Sequence, residues 1–321
     1  MRSLILALGL FWSASAVAQG TYRSLSEALR FADRCEVLDL SQQNLTELPP
    51  EVGQLRRLRK LQLEGNRLAR LPAAFYALES LEEVSLYGNR IEALPREIAR
   101  LNRLRLLDLG ANRLTTLPRE IGDLKSLEHL NLSGNRFTEL LPTLYRLENL
   151  RVLALHDNRI GKLPAQIGNF GFLEELYLYG NPLRTLPNEL GRLARLRKLA
   201  VQGCQLAALP ESLGQLAALE QLFVGANRLT ALPETFARLQ NLRELHAGGN
   251  LLVSIPEPLV QWPRLEQCDL SFNALGGLPA ALVQLPALVR LCVGGNRIRP
   301  QQVEAWQALR PGVDFACVPA D

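Results

Sequence analysis

The chain has 321 residues, 47% of them apolar but only 6% aromatic, and a net charge of +4. So weak a positive balance does not by itself predict a polyanion partner, and the leucines are spread by period rather than gathered into the run of ~20 that a membrane span needs. The H-E-x-x-H, G-x-S-x-G, P-loop and C-x-x-C motifs of hydrolytic, phosphoryl-transfer and redox chemistry do not occur, so the chain is read as a non-enzyme.

Residues 1–18 read as a signal peptide: Arg2, an apolar run from Leu4 to Trp12, then Ala16-Val17-Ala18 as an A-x-A cleavage site. The mature protein is expected to begin near Gln19 and to work outside the cytoplasm, in the periplasm or beyond a bacterial cell. If the segment is retained, the alternative location is cytoplasmic. Residues 19–34 then read as an N-terminal helical cap, with Ser24-Leu25-Ser26-Glu27 as a capping box.

From 35 to 299 one stretch recurs twelve times. Its clearest copy is Leu104, Leu107, Leu109, Asn112, Leu114, Leu117, Pro118, Ile121, Leu124, and the Asn position returns every 23 residues from Asn66 to Asn296. Cys204 stands in it once, and a degenerate first copy is centred on Gln43. The L-x-L part alternates with period 2, which predicts a short strand with one buried face. From Pro118 the spacing changes to three, which suits a 3₁₀ or α turn with Pro at its first position. One such coil cannot bury its own leucines, so coils must stack.

This motif resembles the leucine-rich repeat family, and its L-P-x-x-I-x-x-L half resembles the subclass of Ras-associated and scribble-like scaffolds and of many bacterial proteins. The resemblance implies an α/β solenoid shaped as a horseshoe, with a parallel sheet on the concave face, 3₁₀ or helical turns on the convex face and the Asn side chains forming a ladder. It also implies protein or peptide binding on the concave sheet. An intracellular scaffold or small-GTPase regulator is the alternative if the signal peptide is false.

Stacking turns each repeat position into a row. Seven residues before the Asn the row alternates in sign: Glu36, Arg59, Glu82, Arg105, Glu128, Arg151, Glu174, Arg197, Glu220, Arg243, Glu266. Each charge is expected to meet opposite charges on both sides. Just after the Asn lie Arg67, Arg90, Arg113, Arg136 and Arg159, a basic stripe fit for an anionic glycan or acidic protein. Nucleic acid is not expected, because no aromatic platform is interleaved with these arginines. Outward strand positions are polar at the start, while rings gather in coils six to ten: His156, Tyr177, Tyr179, Phe223 and His246. With Tyr87 these are the candidate partner-binding residues. No cofactor is expected. His129, His156 and His246 fall on the outward side but too far apart, roughly 13 and 19 Å on strand spacings, to share a zinc ion.

The three thiols of Cys35, Cys204 and Cys268 fall at buried repeat positions, which leaves Cys292 with Cys317 as the pair able to bridge. Residues 300–321 read as a C-terminal cap. Pro300 starts a helix lined by Val303, Trp306 and Leu309, Pro311-Gly312 stops it, and Val313, Phe315 and Cys317 alternate as a last edge strand.

Overall fold

A computed structural model of the chain describes residues 21–257, 261–315 and 317. The expected signal peptide lies outside them. One parallel sheet runs through the described chain, its strands in sequence order: β1 Thr21–Tyr22, β2 Val37–Asp39, β3 Lys60–Gln62, β4 Glu83–Ser85, β5 Leu106–Asp108, β6 His129–Asn131, β7 Val152–Ala154, β8 Glu175–Tyr177, β9 Lys198–Ala200, β10 Gln221–Phe223, β11 Glu244–His246, β12 Gln267–Asp269 and β13 Arg290–Cys292. Each step from β2 onward pairs residues 23 apart, as in Leu153↔Leu176↔Leu199. The middle residue of each of these strands points inward and is buried. A slip of one residue would turn every leucine outward, so the repeat length and the sheet register enforce each other.

Each coil leaves its strand through one left-handed residue just before the Asn position, with φ between +51° and +71° from Gln42 to Gly295. Glycine is common there because it lacks the Cβ that this conformation crowds. The Asn then ties coils together. Asn112 donates Nδ2 to the carbonyls of Leu86 (2.9 Å) and Leu109 (3.1 Å), and its Oδ1 accepts the N–H of Ile91 at 2.9 Å. Each such carbonyl is shared: Leu86 O also accepts from Asn89 at 3.0 Å. Most coils then run from Pro into a 3₁₀ turn, as in Arg119–Asp123 after Pro118. Pro118 sits in extended backbone as the N-cap rather than inside the turn. Among the described 3₁₀ turns the expected first-turn position holds only for Pro50 and Pro142.

The ladder changes at one place. Pro182 has no N–H where Arg159 donates to Phe137 O at 2.9 Å, and Cys204 has no oxygen to accept from the coil before it. The Leu183 N–H turns instead to Asn181 O at 2.9 Å, and the Cys204 thiol donates to Leu178 O at 3.3 Å. The Leu183 amide, held within its own turn where Leu114 is held by the Asn135 side chain of the next coil, is expected to exchange about tenfold faster than that of Leu114, the equivalent of one cross-coil hydrogen bond. Hydrogen–deuterium exchange checks this, and equal protection would refute it.

Both ends are covered. At the N-terminus β1 pairs with β2 and α1 (Leu25–Arg30) connects them, its first turn capped by Ser24, whose Oγ accepts the Glu27 N–H at 3.2 Å. The helix ends before the expected Asp33 and the strand ahead of it was not foreseen. A short helix, α2 (Ala280–Val283), replaces the 3₁₀ turn of the last full coil. In the C-terminal cap, α3 (Pro300–Leu309) lays Val303 and Trp306 on the core, while Leu309 is exposed, contrary to expectation, because a spacing of three falls back about 60° per step around an α-helix. The last edge is a single bridge, Arg290↔Asp314, and Cys292 is disulfide-bonded to Cys317. Cys35, Cys204 and Cys268 are buried free thiols, the first two pushed up to about 11 by burial.

Candidate functional site

The outward face of the sheet divides by chemistry. In its polar parts the acceptor side chains are used by the chain itself. Asp39, Asp108, Asn131 and Asp269 each accept the N–H two residues on, from Ser41 (3.0 Å), Gly110 (2.8 Å), Ser133 (2.9 Å) and Ser271 (2.9 Å). These Asx turns close the strand ends. Burial pushes the Asp108 carboxyl up to about 6, against the Gly110 N–H and Asn131 amide that hold it down.

Between β7 and β10 that device is absent. Val152, Ala154, Tyr177, Ala200 and Phe223 form a second apolar cluster, separate from the leucine core, with Tyr179 packed against it. Here the structure corrects the expectation that all the rings stand open: Tyr177 and Phe223 are only 3% and 7% exposed. The reason is the small–large alternation along the row. Alanine on every second strand lets the rings lie over it, and the Lys198 ammonium reaches over both, 5.3 Å from each ring centre. The Tyr177 hydroxyl donates to Glu175.

The neighbouring row adds His156 stacked on Tyr179 at 4.2 Å. Burial holds His156 neutral, down to about 4, and its Nδ1 is buried with no hydrogen-bond partner among the described residues. Tyr87 is exposed; a Cβ on Gly110 would lie 2.8 Å from its ring, and it stands close enough to Tyr179 to help raise that hydroxyl. On the other side His246 stacks on Phe223 at 4.6 Å, with Nε2 3.6 Å from Glu244. The structure therefore brings five of the ring residues, His156, Tyr177, Tyr179, Phe223 and His246, onto one stretch of sheet, while Tyr87 stands apart beside β4, beyond the polar β5 and β6. What the sequence reading missed is Lys198 between the rings and the alanines that seat them.

The charge row forms pairs, not the continuous ladder expected. Arg59–Glu82, Arg105–Glu128, Arg151–Glu174, Arg197–Glu220 and Arg243–Glu266 close at 2.7–2.9 Å, each Arg to the coil after it. An Arg that grips one carboxylate has turned its fork away from the other side. The five arginines of the stripe are all exposed, and their backbone N–H groups are bound to the preceding coil. Arg113 lies 3.6 Å from Glu92. Among the described residues Arg67, Arg90, Arg136 and Arg159 make no ion pair. Nor do these residues include a cluster of three His, Cys, Asp or Glu placed to hold a metal.

A stack of parallel strand-and-3₁₀ coils joined by buried asparagines is a leucine-rich repeat solenoid. Family models agree: a leucine-rich repeat region matches residues 92–203 and 141–247, and a leucine rich repeat matches 34–91. The chain belongs to the leucine-rich repeat family. Among solved structures it is similar to a leucine-rich repeat protein of Leptospira interrogans, with 28% identity and a TM-score of 0.62 over 93% of this chain and 100% of that one. It is also similar to a plant peptide hormone receptor solved with its peptide, RGF2, at 25% identity and TM-score 0.59, over 88% of this chain and 55% of the receptor's. An internalin of Listeria monocytogenes shares the fold, at 20% identity and TM-score 0.67 over 84% of this chain and 83% of the internalin. No curated protein matches the chain.

Proposed function

We propose that the protein is a non-catalytic binding module that takes a protein or peptide on the outer sheet face of coils six to ten, and that it works outside the cytoplasm. One observation carries the reading of the site: an apolar cluster on the outward side of a sheet whose other outward residues are mostly polar. The cluster is itself covered and forms a firm apolar floor under the half-exposed rings of Tyr179 and His246, an arrangement that suits a partner's side chains. The receptor solved with a peptide supports the partner class. The Cys292–Cys317 bond supports export, since disulfides persist in oxidising compartments. An intact Met1 end on the expressed protein would refute export and return the intracellular scaffold reading.

Because Tyr177 and Phe223 are covered, Tyr179 and His246 are the rings a partner reaches first. Peptides selected by display against the full chain are expected to lose over ~1 kcal/mol of affinity to the Tyr179→Ala and His246→Ala variants and nothing to Ser85→Ala. Selected peptides that bind both ring variants normally would move the site off this face. A second reading is favoured by the unpaired guanidiniums: the Arg edge meets an anionic partner such as a glycan. Only that mode weakens steeply with salt.

A further inference from the structure

The edge that carries the five arginines holds a second feature toward the C-terminus. In the same row as the arginines, coil ten has Leu251, followed two residues on by Val253; coil eleven has Phe272 just before its Asn. Their exposures are 54%, 63% and 72%. Phe272 has φ +53°, in the left-handed position that other coils fill with Gly, Ala, Asp or Gln. A bulky side chain is disfavoured there. The backbone is held by the Phe272 N–H donating to Gly294 O at 2.7 Å, and the ring rests where a Cβ on Gly295 would lie 2.6 Å from it. Nothing further covers the ring among the described residues. It is thus unfavourable twice in the free protein, by conformation and by exposure. A strained residue of this kind points to a bound state that uses it.

The shape of the edge narrows what binds. In-register stacking puts the arginines and Leu251 in one row, with Phe272 two positions before that row along the coil and Val253 two positions after it, over roughly 43 Å from coil two to coil eleven at ~4.8 Å per coil. All three apolar side chains are more than half exposed. A protein hot spot needs a desolvated pocket, whereas a lipid surface needs only apolar tips beside cations. Phospholipid headgroups complement the arginines, and the acyl boundary accepts Phe, Leu and Val, with aromatic rings favoured at that depth. No described helix is long and apolar enough to cross a membrane, so the contact is peripheral.

We propose that this edge docks the protein on an anionic lipid bilayer, with the arginines at the headgroups and Leu251, Val253 and Phe272 at the acyl boundary. The proposal rests on the reading that the Arg edge meets an anionic partner, and it names that partner as a phospholipid surface.

The test is co-sedimentation of the full chain with vesicles of equal phosphatidylglycerol and phosphatidylcholine, against phosphatidylcholine alone, with heparin as a soluble polyanion. Binding to the anionic vesicles is expected at least tenfold tighter than to the neutral ones. Phe272→Gly is the decisive variant. It should raise the melting temperature by a few degrees, because glycine accepts positive φ, yet weaken vesicle binding about tenfold. Reversal of Arg90, Arg113 and Arg136 to Glu should leave the far-UV spectrum unchanged and abolish vesicle binding; Gln at the same positions replaces Glu if that spectrum is lost. Phe272→Gly that binds vesicles like the parent overturns the insertion and leaves the anionic reading standing. So does a parent chain that binds heparin but not vesicles. Arginine variants that bind vesicles normally, or a parent that binds neither probe, sink both.

Discussion

Truncating Leu176 to alanine is expected to lower stability by about 2–5 kcal/mol, the range for emptying a buried leucine site. Its side chain is fully buried and sits in register between Leu153 and Leu199, so neither neighbour can close the hole without leaving its own row. In a solenoid, stability is nearly a sum of coil and interface contributions. A defect in coil seven should therefore split thermal unfolding into two transitions, one for each side of the break. Tyr179→Ala, three residues away on the outer face, should shift the melt little. Tyr177→Ala falls between them, because its ring is covered by side chains alone and not by the core. A single unbroken transition at the parent's midpoint for Leu176→Ala would overturn the assigned register.

Asn112→Ala is expected to cost about 1–3 kcal/mol, the price of one stranded buried group, although the side chain makes four hydrogen bonds. The difference lies in sharing. Leu86 O keeps Asn89, at 3.0 Å, and Leu109 O keeps Asn135, at 2.9 Å. Only the Ile91 N–H, bonded to Asn112 Oδ1, loses its partner. Urea denaturation of the single variant, and of one also carrying Asn89→Ala, separates these cases. The pair should cost more than the sum of the singles, since Leu86 O then has no donor. Strict additivity would show that the carbonyls are not held in common.

The fold was legible because the period forces it. Once Leu107, Leu109 and Asn112 recur at a fixed spacing, the strand, the turn and the stacking follow from burial alone. What escaped is local. Thr21-Tyr22 is too short to show a period, yet pairs with β2. The direction of each Arg–Glu pair depends on side-chain geometry that a sign pattern does not carry. At the site, reading rows residue by residue found the rings but treated every outward position as open. The Asp-x-Ser and Asp-x-Gly spacings at Asp39, Asp108 and Asp269 were signs in the sequence that those carboxylates serve their own backbone. The alanines at Ala154 and Ala200 were equally visible signs that Tyr177 would be covered. Phe272 was printed in a position otherwise filled by small or polar residues, but only its φ of +53° shows why that matters.

The charge pairs have a consequence for how such an array can change length. Each joins one coil to the next and leaves the following junction unlinked, so the pattern returns from Arg59 to Arg105 after 46 residues, not 23. Deleting one coil, such as that of Glu174, would set Arg151 against Arg197. Deleting two would restore every pairing. Exposed pairs of this kind contribute little to stability, so the alternation is better understood as inheritance. Copying coils two at a time would produce this alternation, and even-numbered insertions and deletions are the ones that keep every pair.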